Sequence, residues 1–269
     1  MQFMSAQPYI GITGTVSVDE VEAVISEFNS AGYFLSSSHI PMLGFLVSYK
    51  TLNGLPTENK RYPLIGKVRG LLEHCAGRVL PMIHYNSKEM STLAEQVSRI
   101  FDGLYQDDFC RALQMNIVWP DVEQMKRIKK NFPELQIVFQ ASHNAMAERS
   151  SKEMVDKIAE YKEAISYVLI DPSGGRGLEF DINHSLAVYH ELTENLPAIT
   201  VGFAGGFTGA NVEARVRDII SRTGRDDFCI DAEGGLRDKL SNNYGDDLLN
   251  MEKVKAYVQA AARVIKYRV

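Results

Sequence analysis

Cysteine is scarce in this chain: three stand among 269 residues, Cys75, Cys110 and Cys229, an odd number with no CxxC spacing. That excludes a disulfide framework and a cysteine zinc site, and it points to reduced thiols. The six histidines are scattered, with no His-x-His or His-x-x-x-His pair, so no metal is expected. Positive charge is not in excess. With 29 Lys and Arg against 34 Asp and Glu, the formal net charge of -5 leaves no basic footprint for nucleic acid. No run approaches the roughly 18 apolar residues that a spanning helix needs. Met1 to Ser5 lacks a basic stretch leading into an apolar one. No membrane partner and no export are expected, and the expected location is cytoplasmic. No linker rich in Pro, Ser or charge divides the chain, so residues 1–269 read as one domain.

What the chain does have is alternation. Hydrophobic residues make up 45% and charged ones 23%, enough to bury a large core. Short apolar or β-branched runs read as strands at Tyr9 to Thr15, Met42 to Ser48, Val79 to Tyr85, Ala112 to Val118, Gln136 to Gln140, Tyr167 to Asp171, Ala198 to Phe203 and Phe228 to Asp231. Between them, apolar residues recur at three and four in Val18 to Ser30, Lys88 to Phe101, Val122 to Asn131, Lys152 to Ala164, Asn211 to Arg222 and Met251 to Tyr267. Strands apolar nearly throughout and separated by helices imply a parallel sheet covered on its faces. About eight repeats imply closure into a single (β/α)8 TIM barrel of the α/β class. An open doubly wound sheet is the alternative. The stretch 50–63, with Gly54, Pro56, Thr57 and Asn59, is too polar for an element and reads as a long loop after the second strand.

In such a barrel the loops after the strands carry function. Polar residues closing the apolar runs are therefore the candidates: Thr13, Ser48, Lys50, His84, Asn86, Gln114, Asn116, Gln140, Asp171, Asp231 and Glu233. Three glycine breaks follow strands, at Gly174-Gly175-x-Gly177, Gly205-Gly206 and Gly234-Gly235. A strand that ends in paired glycines at a helix start bares backbone N–H groups where the helix dipole is positive, and an anion binds there. Plainer accounts stand beside these. Gly205-Gly206 fits an ordinary turn needing positive φ, and Asp171 fits a helix cap. His84 fits a satisfied polar residue in the upper barrel layer. Glu233 fits a surface pair with Arg237, and Lys60-Arg61 fits a solvated loop.

The glycine breaks carry a resemblance. Val168-Leu169-Ile170-Asp171 followed by Gly174-Gly175-Arg176-Gly177-Leu178-Glu179-Phe180-Asp181 resembles the sixth loop of the phosphoribosylanthranilate isomerases of tryptophan biosynthesis, an aspartate and then GG-x-G-x-x-F-D. Ala204-Gly205-Gly206-Phe207 with Asn211-Val212 is similar to that family's seventh loop, A-G-G-L-x-x-x-N-V. Asp231-Ala232-Glu233-Gly234-Gly235-Leu236-Arg237 keeps only the aspartate and second glycine of its eighth, D-x-S-S-G-V-E. Leu43-Gly44-Phe45-Leu46, Leu113-Gln114-Met115 and Ile12-Thr13-Gly14 echo the second, fourth and first strands more weakly.

The resemblance implies a ribulose-phosphate-binding barrel that performs an Amadori rearrangement of a small phosphorylated sugar derivative without a cofactor. An acid opens the sugar ring and a base takes the proton from C2. Asp171 matches the family's acid. The position of the family's base, a cysteine, holds Thr13, and Glu233 or His84 would take its place. Gly205, Gly206, Gly234 and Gly235 would hold the phosphate. Gly174, Gly175, Gly177, Gln114 and Lys50 would line the substrate, Lys50 being the nearest cation to the family's missing second-loop arginine. Related barrels imply a monomer or a homodimer. A changed substrate, a binding protein without catalysis, and a phosphate-binding barrel with lyase or synthase chemistry remain open.

Overall fold

Eight of the apolar runs become parallel strands that close on themselves. The computed structural model describes residues 6–146, 149–173 and 182–265. The chain runs β1 (Tyr9–Thr13), α1 (Val18–Ser30), β2 (Ile40–Ser48), α2 (Tyr49–Leu52), α3 (Ile65–Cys75), β3 (Leu80–Asn86), α4 (Leu93–Phe101), β4 (Ala112–Met115), α5 (Val122–Asn131), β5 (Gln136–Ser142), α6 (His143–Met146) and α7 (Ser151–Ile158). It continues through β6 (Tyr167–Asp171), α8 (Ile182–Asn195), β7 (Thr200–Ala204), α9 (Val212–Thr223), β8 (Cys229–Ala232), β9 (Arg237–Lys239), β10 (Asp247–Leu249) and α10 (Met251–Ala262). Strands β1 to β8 hydrogen-bond in sequence order and β8 closes on β1, with Gly11 opposite Asp231. The fold is a single (β/α)8 TIM barrel, and the open sheet is excluded.

Alternation along the strands decides what faces the axis. Tyr9, Met42, Met82, Ala112, Val138, Tyr167, Leu169 and Cys229 form an apolar cluster inside the barrel. Two residues further along, or four in β1, the same inward row carries Thr13, Gly44, His84, Gln114, Gln140, Asp171 and Asp231. The lower barrel is thus packed and apolar, and the upper layer is polar. Outward residues such as Ile10, Ile12, Phe45, Phe139, Ile170 and Phe203 join the larger core under the helices.

Local differences from the sequence reading have local causes. Within the polar stretch 50–63, Ser48 and Thr51 form a reciprocal capping box that supports the one-turn α2. The fourth strand ends at Met115 rather than Val118. The chain leaves the sheet and turns at Trp119, whose φ of 51° is one that strands do not adopt. Helices α3 and α8 and the antiparallel pair β9–β10 were not named from the sequence. The sixth-loop glycines Gly174, Gly175 and Gly177 lie outside the described residues.

Candidate active site

A cavity opens at the carboxyl ends of the strands. Asp171, Asp231 and Glu233 line it, facing Gly205, Gly206 and Gly234, and Gln114, Gln140 and Ser173 complete its wall. The period-two rule puts Asp231 and Glu233 on one side of the chain, and closure brings Asp171 from β6 beside them. All three carboxylates feel one another: Asp171 and Glu233 both raise the pKa of Asp231.

Their surroundings differ, and the differences separate their roles. Asp171 accepts from Gln140 Nε2 at 2.6 Å on Oδ2, and from the Ser173 backbone N–H and hydroxyl at 3.1 and 3.0 Å on Oδ1. Gly205 lets this group sit against the seventh loop, since a Cβ there would lie 2.9 Å from Ser173 Oγ and 3.3 Å from Asp171 Oδ1. Asp231 is pushed far above the usual carboxylate range, by burial first and then by the Glu233 charge, while the Thr13 hydroxyl pulls the other way. That hydroxyl donates to both Asp231 oxygens, at 3.1 and 3.2 Å. Thr13 therefore stands as a donor to a carboxylate.

Glu233 does not pair with Arg237 on the surface. Arg61 reaches it from the loop after β2, Nη1 to Oε1 at 2.5 Å, while its Nε and Nη2 grip Asp247 at 3.0 and 2.6 Å. The guanidinium is 4% exposed and stacks over Tyr244 at 4.6 Å, so Lys60-Arg61 is not a solvated pair as expected; only Lys60 is exposed. Burial opposes the Arg61 charge, but Asp247 and Glu233 outweigh it and push its pKa up. Arg237 is also buried, near Asp247 at 3.4 Å and donating to the Gly14 carbonyl. Burial raises the Glu233 pKa, and the Arg61 charge opposes the rise.

Two expected site residues sit elsewhere. His84 is buried in the upper layer below the mouth and does not line the cavity. Its Nε2 has no partner among the described residues, and burial drives its pKa down to about 3. A neutral imidazole whose conjugate acid is that strong is a poor base. Lys50, on α2, is exposed and lines a separate hollow beside the mouth. Gln114 is in the wall, with Nε2 donating to Asn116 Oδ1 at 2.8 Å. None of the cysteines lines the cavity, and burial pushes Cys75 and Cys110 up to about 12.

The glycines are required by geometry. Gly205 and Gly206 have φ of 99° and 65°, values open to glycine. Asn211 at the start of α9 holds the loop, donating to the Gly206 carbonyl at 2.8 Å and accepting from the Thr208 N–H at 2.9 Å. A Cβ at Gly235 would strike the Phe207 carbonyl, so the seventh and eighth loops meet there. The backbone N–H groups of Gly206, Gly234 and Gly235 make no backbone hydrogen bond among the described residues outside the regular elements. Arg61, read from the sequence as part of a solvated loop, and Ser173 are site residues that the strand-end candidates do not include. Asp231 was visible as a strand-end carboxylate two residues before Glu233.

No protein-family model and no curated protein matches the chain. Solved structures do. The phosphoribosyl anthranilate isomerase of Thermus thermophilus is similar with a TM-score of 0.61 at 14% identity, over 95% of this chain and 98% of that one. TrpF from Jonesia denitrificans gives 0.58 at 16% identity, over 97% and 100%. Active domain 2 of a chitinase from Pyrococcus furiosus gives 0.58 at 12% identity, over 98% of both chains. Such likeness among different enzymes is likeness of fold, and function rests on the site. These comparisons place the chain among the (β/α)8 barrels.

Proposed function

We propose that the mouth cavity is the active site of an enzyme that isomerises a small phosphorylated sugar derivative by acid–base proton transfer, an Amadori-type rearrangement. The observation that carries this reading is the meeting of Asp171, Asp231 and Glu233 at the barrel mouth against the seventh- and eighth-loop glycines. N–H groups of Gly206, Gly234 and Gly235 would bind the phosphate. The roles of the carboxylates follow from their surroundings. Asp231, kept protonated by burial and by Glu233, would give its proton to the ring oxygen as the sugar opens. Asp171 was expected as the acid, but the donors from Gln140 and Ser173 hold it as an oriented acceptor, suited to taking the proton from C2. Thr13 would orient Asp231 through its hydroxyl, and Gln114 would bond sugar hydroxyls. Glu233, tied to Arg61, would supply the negative charge that keeps Asp231 protonated.

The test is genetic and calorimetric. Complementation of a tryptophan auxotroph lacking the isomerase is the expected result if the substrate is the family's own, and Asp171→Asn and Asp231→Asn should each abolish growth. Failure to complement, with ribose 5-phosphate still raising the melting temperature, assigns the same cavity to a different phosphorylated sugar derivative. No stabilisation by any sugar phosphate, or full activity in Asp171→Ala, overturns the reading.

A further inference from the structure

A second hollow opens beside the mouth, lined by residues of the loops that follow β2 and β3. Ser48, Lys50, Tyr62, Asn86, Ser87 and Lys88 are among its lining. Lys50 and Lys88 carry no ion pair among the described residues, whereas Lys60 on the same loop is paired with Asp246 at 2.8 Å. Glu89 also lines the hollow, and its Oε1 accepts the Ser91 N–H and hydroxyl. Tyr62, next in the chain to the Arg61 that holds Glu233, lines the hollow as well. In the closed strand order, β2 and β3 stand across the barrel from β6 and β7. The two lysines therefore stand on loops at the opposite side of the barrel end from the seventh-loop glycines.

Resting on the reading of the mouth given above, we infer that the substrate is phosphorylated at both ends: one phosphate at the seventh- and eighth-loop N–H groups, the second on Lys50 and Lys88, with the exposed Asn86 amide as a neutral donor. Phosphate fits this pair better than carboxylate. The fork of an arginine suits phosphate and carboxylate alike, whereas an ammonium group holds an oxyanion as a point charge, so here the charge of the anion decides. The arginine of this loop is already committed, since Arg61 holds Asp247 and Glu233. Two lysines also match the double charge of a phosphate.

Calorimetry on the full chain at fixed ionic strength tests this with ribose 5-phosphate, ribulose 1,5-bisphosphate and a 5-phosphorylated sugar acid carrying a carboxylate in place of the second phosphate. The bisphosphate should bind at least about tenfold more tightly than the monophosphate, the worth of a charge-assisted contact. The Lys50→Ala/Lys88→Ala double variant should bring it down to the monophosphate's affinity and leave the monophosphate unchanged. Both lysines are exposed, so an unchanged melting temperature should accompany the loss. Equal binding of the two phosphates in the native chain, equal weakening of both in the variant, or a carboxylate compound that matches the bisphosphate each overturns the inference. Monophosphate binding without gain from the second phosphate removes only this inference; no binding of any of the three removes the mouth reading as well.

Discussion

Asp231 is a carboxyl group in a place that favours its neutral form, and the consequence can be measured without a substrate. Its folded pKa lies well above the unfolded value of 3.8. The folded chain therefore keeps a proton that the unfolded chain gives up, and this group's stabilisation is lost as pH rises from about 4 through the folded value. Asp231→Asn keeps an acceptor for the Thr13 hydroxyl and removes the titration. Urea melts should show its advantage over the native chain growing from pH 5 to pH 8. Thr13→Val removes the donor to both oxygens of that buried carboxyl; a loss of about 1–3 kcal/mol is expected in the same melts. His84 has the opposite sign. With a folded pKa of about 3 it stays neutral, so its imidazole resonances should not move between pH 8 and pH 5. Its contribution to stability, present above the ordinary histidine value, is lost as pH falls toward 3.

Among the elements, glycine does two unlike jobs. Gly44 in β2 lets Thr13 and His84 press against its backbone, and a Cβ would lie 2.6 Å from His84 Nε2 and closer still to Thr13 Oγ1. Gly70 in α3 has nothing within 4 Å of the same position. Gly44→Ala should cost about 1–3 kcal/mol by overpacking, and Gly70→Ala should gain about 0.5–1 kcal/mol from helix propensity. Thermal melts of the two variants read both signs. Gly70 and Gly66 also account for what the sequence left unread in α3, since they interrupt the apolar row Val68, Leu71, Leu72 and Cys75. The strands were legible because a parallel sheet is buried on both faces and its runs are apolar end to end. The inward polar row was legible too, since Thr13, Gln114, Asp171 and Asp231 all follow apolar residues at the ends of those runs. Which of them bears a proton was not: that depends on Glu233, Thr13 and burial acting together, and only closure of the barrel sets those distances.

At the scale of the molecule, the contact least visible in the sequence joins segments far apart along the chain. Arg61 meets Asp247 across 186 positions and Glu233 across 172, and nothing in a polar loop marks its arginine for burial. Arg61→Ala would leave Asp247 with Arg237 alone and Glu233 without its bonded counterion, at a cost of about 3–5 kcal/mol by denaturant titration. No helix among the described residues is long and apolar enough to cross a membrane.

The same clasp bears on time as well as on energy. It joins the segment after β2 to the β9–β10 pair beyond β8, with Arg237 adding its bond to Gly14, so it can form only when the chain between has largely taken its place. A contact made after the folding barrier slows escape from the native state and leaves the approach to it nearly unchanged. In stopped-flow measurements Arg61→Ala should unfold faster and refold at close to the native rate, so that the clasp lengthens the time a closed barrel stays closed.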